Sequence, residues 1–122
     1  MLLEQRDLGY LLDMVECCQD IEQFTTGISF DDFAQDKMRR FATERQLQTI
    51  GEAANHVSAD ARVQIPGVEW EKIVGLRNKL AHDYGEILAQ RVWLIAVDYV
   101  PRLRRSLLGV NEVSEAASSR QE

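Results

Sequence analysis

The chain is short of the residues on which most site chemistries depend. It has two cysteines, two prolines and two histidines among 122 residues, and aromatics make up 7%. The cysteines, Cys17 and Cys18, are adjacent. Neighbours on a helix point about 100° apart, so a bridge between them is not expected, and two reduced thiols partly in a core are. No glycine-rich phosphate loop, Gly-x-Ser-x-Gly elbow or kinase signature is present. His56 and His82 lack carboxylate or cysteine companions at ligand spacing, so neither a metal nor another cofactor is expected. No apolar run approaches the roughly 20 residues of a membrane span. Glu4, Arg6 and Asp7 do not suit a signal peptide. These absences lead to an expected cytoplasmic location away from any membrane.

Positive charge is also in short supply. Fourteen basic residues against twenty acidic ones leave a net charge of −6. A broad, non-specific nucleic-acid binder normally carries a net basic surface, so that class is disfavoured. A local basic groove is still possible, because steering depends on where charges sit. Arg39, Arg40, Arg45, Lys79, Arg91, Arg102, Arg104 and Arg105 are the candidates for one. Asp36, Glu44 and Glu52 could suggest a carboxylate cluster, but a solvated helix face explains them better.

What is present is helical periodicity. A first segment runs from Leu3 to Phe24, with Leu8, Leu11, Val15 and Cys18 three or four apart, and stops at Thr25-Thr26-Gly27. Ser29, followed by Asp31 and Asp32, reads as the start of a second segment that continues to Val57. Residues 58–67 form a break, in which Ala59 to Arg62 could make a helical turn. A third segment covers Glu69 to Tyr84 and ends at Gly85. A fourth covers Glu86 to Leu108, with Pro101 expected to kink or end it. Residues 111–122 are small and polar without periodicity, which suggests a disordered tail. Alternating β-branched runs are few and hairpin dipeptides are absent. The expected fold is therefore all-α: one domain over residues 1–110, an up-and-down bundle of four main helices.

Chemistry concentrates in Arg77-Asn78-Lys79-Leu80-Ala81-His82-Asp83-Tyr84. Arg77 and His82, five apart, differ by about 140° on a helix and about 7.5 Å in rise, so they are not natural neighbours on one face. Tyr84 would return to about 20° from Arg77 if the helix continued. His82 lies four residues from Asn78 and can touch it. RNA supplies its own nucleophile, the 2′-hydroxyl. Cutting it needs a base, an acid and positive charge on the phosphate. Imidazole exchanges protons near neutral pH, but one chain offers only His82 in a plausible setting. A two-fold dimer would offer two histidines with two Arg77 guanidiniums between them, which places the site at a seam. Each residue also has a plainer reading. The spacing occurs by chance, Tyr84 beside Gly85 could cap or pack, Asn78 could be a surface residue, and His56 fits a structural or C-terminal capping role.

These residues resemble the HEPN superfamily, whose hallmark is Arg-x4-6-His, often with a polar residue after the arginine. The extension to Tyr84 gives Arg-x4-His-x-Tyr, which is similar to the HepT branch, toxins paired with minimal nucleotidyltransferase (MNT) antitoxins. The likeness runs to about Leu108. It includes Arg45 to Ala54 on the second segment, Val68-Glu69-Trp70 leading to Gly75-Leu76-Arg77-Asn78, and Trp93 with Val100-Pro101. The resemblance implies a HEPN-like bundle and the toxin of a type VII-like toxin–antitoxin system. It implies a homodimer or higher even oligomer that cuts RNA, tRNA or mRNA, without a metal. It also implies that Arg77 holds the scissile phosphate, His82 moves protons, Asn78 supports the geometry and a cognate nucleotidyltransferase antitoxin AMPylates Tyr84. The alternative is a non-catalytic helical partner that docks a nucleotidyltransferase and binds nucleotide or RNA without cutting it.

Overall fold

The computed structural model describes residues 2–121 and, among these, contains helices and no strands. Met1 and Glu122, the outermost residues of the expected domain and tail, lie outside the described residues. Helix α1 spans Gln5–Thr25 and is the centre of the bundle, packing against α3 (Lys37–His56), α8 (Val100–Leu108) and α9 (Asn111–Arg120). Its buried stripe includes Leu11, Met14, Val15, Cys18 and Ile21, a helical repeat facing one core. Cys17 and Cys18 are free and buried there. Burial pushes the Cys17 thiol up to about 12 and the Cys18 thiol higher still, so both are inert as nucleophiles.

Polar side chains that satisfy stranded backbone groups set the helix ends. The end of α1 is held by Thr25 Oγ1 on the Ile21 carbonyl (2.9 Å) and by Arg39 on the Phe24 carbonyl (2.6 Å), before Gly27 turns with φ +80°. Ser29 and Asp32 form a reciprocal capping box on α2 (Phe30–Gln35). Asp36 then interrupts the expected second segment. Its side chain accepts from the Arg39 amide at 3.0 Å and restarts the chain as α3. That amide hydrogen bond also holds the Asp36 carboxyl below the usual carboxylate range.

The break after α3 contains a short helix, α4 (Ala59–Val63), where a turn was expected. Ser58 caps it while donating from its amide and hydroxyl to buried Asp7 on α1, at 2.8 and 2.7 Å. Arg62 reaches back to the Ala54 and Val57 carbonyls and lies 5.3 Å from the Trp70 ring centroid. His56, at the end of α3, stacks on Tyr10 with centroids 4.9 Å apart, in keeping with a structural role. The third segment is divided. Helices α5 (Trp70–Val74) and α6 (Leu76–Ala81) meet at Gly75.

One expectation is refined and one corrected at the C-terminal end. Pro101 goes with a break in the regular part of the last rod, as expected, but the rod continues. Helix α7 (Gly85–Leu94) passes through a π-helical turn, Ile95–Tyr99, directly into α8. The wider turn accommodates the missing proline amide and its ring, which would clash with a regular ladder. Residues 111–120 are not a disordered tail. They form α9, with Val113 fully buried, the Leu3 amide donating to Glu112, and Arg120 paired with Asp13 and Glu16 on α1. Periodicity missed α9 because one buried valine and two half-buried alanines suffice to seat it. Deleting residues 111–122 should lower stability by about 2–3 kcal/mol, roughly the value of the buried valine with its neighbours, and reduce the melting temperature by several degrees. An unchanged melting curve would mean that α9 does not pack in solution.

Candidate functional site

The site residues project from α6 because its other face is used for packing. Ile73, Leu76 and Leu80 are buried, which leaves Arg77, Asn78, Lys79 and His82 exposed. The helix stops at Ala81, three residues short of Tyr84. His82 is its C-terminal cap (φ −89°, ψ −8°), and Tyr84 is extended (φ −134°, ψ 158°). Gly85 follows with φ +52°, a conformation that costs a non-glycine residue roughly 1–2 kcal/mol, and turns the chain into α7. The wide angular separation of Arg77 and His82 therefore holds, since both keep helical dihedrals. The alignment of Tyr84 over Arg77 does not, because the helix ends between them. No hydrogen bond joins Asn78 to His82 among the described residues.

Arg77 and Lys79 leave opposite flanks of α6. Arg77 lines a hollow of about 180 Å³ against α3, with Gln48, Gly51, Glu52, Asn55 and Val74. Lys79 borders an open depression on α7 with Ile87, Gln90, Arg91, Leu94 and Ile95. It also borders a larger hollow of about 380 Å³ with Ile73, Leu76, Tyr99 and Arg102. Tyr84 is 82% exposed, and Ile87 and Leu94 on the following helix are each 63% exposed. Ile87 and Leu94 border the same depression as Lys79.

Three features that position the site were not recognised in the sequence. Gly51 lies in the middle of α3 and is buried. A Cβ there would come within 2.9 Å of the Ile73 carbonyl oxygen on α5. Mid-helix glycine costs roughly 0.5–1 kcal/mol against alanine, so a buried one inside a periodic segment is itself a sign of close backbone approach. Asp83 and Arg91 form an ion pair, with Arg91 Nε donating to Asp83 Oδ2, that ties the loop bearing His82 and Tyr84 to α7. The acid immediately before a helix and the base within it were the available signal. Gln48, Glu52 and Asn55 are the third feature, visible as a site only once α3 and α6 are adjacent.

The eight residues put forward as a basic surface separate into two groups. Arg39 pairs with Asp36, Arg91 with Asp83, Arg102 with Asp98 and Arg104 with Glu22, the last at 2.5 Å. Arg40, Arg45, Lys79 and Arg105 make no ion pair among the described residues. Asp36, Glu44 and Glu52 do not act together either. Asp36 caps α3, half-buried Glu44 has its carboxyl pushed up by burial, and Glu52 borders the Arg77 hollow. No group of three or more His, Cys, Asp or Glu side chains that could hold a metal ion occurs among the described residues. No helix there is long and apolar enough to cross a membrane.

With this geometry in place, comparison with known proteins identifies the family. The family model described as Ribonuclease HepT-like matches residues 14–108, which include α6 and all four site residues. The chain belongs to the HepT-like ribonuclease family. A candidate RNase of Methanocaldococcus jannaschii is 36% identical over 106 residues, covering 86% of this chain and 97% of the relative. A candidate ribonuclease HepT of Thermococcus cleftensis is 35% identical over 95 residues, covering 78% and 86% respectively. A candidate RNase of Caldanaerobacter subterraneus is 31% identical over 98 residues, covering 80% and 88%. No solved structure matches the chain.

In this HepT-like fold, the seat of α6 depends on the missing side chain at position 51. Gly51→Ala should destabilise the protein by about 1–3 kcal/mol, as overpacking against rigid backbone does, read from the urea unfolding midpoint. A midpoint equal to that of the parent would show that α3 and α5 can separate freely.

Proposed function

We propose that the protein is the toxin of a type VII-like toxin–antitoxin system, a metal-independent endoribonuclease whose site is completed at the seam of a homodimer. The observation that carries this reading is the joint exposure of Arg77 and His82 on α6, with His82 the only histidine near it. The relatives' names as ribonucleases give the reaction class. The dimer is supported by Ile87 and Leu94, about two turns apart on α7 and both exposed around the depression that Lys79 borders, since exposed apolar side chains beside the motif helix suit burial against a second copy.

In this mechanism Arg77 binds the non-bridging oxygens of the scissile phosphate. One His82 removes the 2′-hydroxyl proton, and the 2′-oxygen attacks phosphorus as the bond to the 5′-oxygen breaks. The His82 of the second copy donates a proton to the departing 5′-oxygen. The products are a 2′,3′-cyclic phosphate and a 5′-hydroxyl, and no metal or activated water is needed. Asn78, next to Arg77 at the exposed surface, supports the geometry of the bound phosphate.

Tyr84 is the regulatory position in this reading. Its exposure allows a partner nucleotidyltransferase to reach the hydroxyl. Adenylate would then place a phosphodiester charge and a bulky base next to a site that must admit a polyanion.

His82→Ala and Arg77→Ala should each reduce cleavage of total RNA in EDTA by at least about 100-fold while leaving the melting temperature unchanged. Wild-type cleavage by either variant would end the enzymatic reading and favour a binding module. Tyr84→Phe should remain toxic in cells that co-express the cognate nucleotidyltransferase, whereas the parent is neutralised and gains one adenylate by mass spectrometry. Adenylate on another residue would overturn the role of Tyr84.

A further inference from the structure

Half of the cations in this acidic protein are already matched to carboxylates. Among the described residues, seven of its fourteen lysines and arginines make ion pairs. Of the seven that make none among the described residues, Arg6 and Arg105 stand apart, and the other five occupy two helices. Lys37, Arg40 and Arg45 are on α3, and Arg77 and Lys79 are on α6. Free positive charge is thus concentrated on the two helices that bound the Arg77 hollow.

The exposed face of α3 has a matching pattern. Phe41, Arg45, Gln48, Glu52 and Asn55 follow a spacing of four, three, four and three, which places them on one stripe, while Leu47, Ile50 and Ala54 occupy the buried one. The last three members of the exposed stripe line the hollow that holds Arg77. Phe41 lies about 10 Å up the helix from Gln48, by the rise per residue. It is 59% exposed, has the Arg40 guanidinium 5.7 Å from its ring centroid, and is preceded by Met38, which is 85% exposed. An aromatic ring held open to solvent, flanked by cations that make no ion pair among the described residues and followed by amide side chains, is the combination that single-stranded nucleic acid uses.

We infer that the outer stripe of α3 is a track for single-stranded RNA, which stacks a base on Phe41, passes its phosphate over Arg45 and continues to Arg77. The inference rests on the ribonuclease reading above for the role of Arg77. Gln48 and Asn55 offer amides, and Glu52 a carboxylate, to base edges next to the phosphate that Arg77 holds. Glu52 is the one acid on the stripe, and it suits an exocyclic amino group where it would repel a phosphate. A duplex cannot use the track, because its bases are not free to stack.

The test uses the His82→Ala protein, so that binding is read without cleavage, and a fluorescein-labelled single-stranded RNA of about 12 nucleotides. Adding Phe41→Ala should weaken binding about tenfold. Adding Arg45→Ala should weaken it and flatten the slope of log Kd against log salt concentration by about 0.7, the value of one phosphate contact on a single strand. The same RNA annealed to its complement should bind more weakly than the single strand and be insensitive to Phe41→Ala. Unchanged affinity in both variants, or no measurable binding by the His82→Ala parent, overturns the track. So does a halved solution mass of the Phe41→Ala protein, which would make this face a contact between copies. If the track is present but the wild-type protein leaves the RNA intact, the ribonuclease reading fails while the track stands.

Discussion

The site depends on a contact between backbones. Helix α3 is one long, capped rod, whereas α5 and α6 are two short helices that could not hold a position alone. They are held because residue 51 is glycine: a Cβ there would lie 2.9 Å from the Ile73 carbonyl oxygen, so the backbones approach this closely only without one. That approach brings Ile73, Leu76 and Leu80 into the core and turns Arg77 toward Gln48, Glu52 and Asn55. The HepT-like motif is therefore carried by a segment whose placement comes from its neighbour and not from its own helical length.

Electrostatics divides the molecule in a similar way. Ion pairs on this surface are exposed or partly so, and such pairs contribute little to stability individually. Their larger effect is on where charge remains. Arg104 with Glu22 and Arg120 with Asp13 and Glu16 hold helices around α1 and leave little net positive field there. Arg77 and Arg45 keep their charge available. A net charge of −6 is thus compatible with a locally cationic groove, because the sum does not fix where individual charges sit.

Much of this was legible in the sequence. The stripes of α1 and α3, the Ser29 start and the break after Val57 follow from local rules of spacing and capping, and they agree with the structure. The grouping of Arg77, Asn78, His82 and Tyr84 in one short segment was legible too, whereas their exposure comes from the structure. What was hidden is what tertiary contact decides. Pro101 is absorbed by a π turn upstream of it, and α9 is helical because Val113 finds a core to enter. Asp83 pairs with Arg91, and α6 ends at Ala81, before Tyr84. None of these follows from periodicity, because each depends on a residue several positions away or on another helix.

The end of α6 at Ala81 has one more consequence. His82 stands where regular structure gives way to a short connector that is anchored at Asp83 and turned at Gly85. Inside a helix, one added residue would swing every later side chain about 100° around the axis. In the connector beyond His82 an extra residue could bulge outward while α6 stays where it is. Residues 78–81, the whole interval between the arginine and the histidine, lie inside α6, so the motif's internal spacing is set by helical register and only the distance from His82 to Tyr84 and α7 is a length of tether.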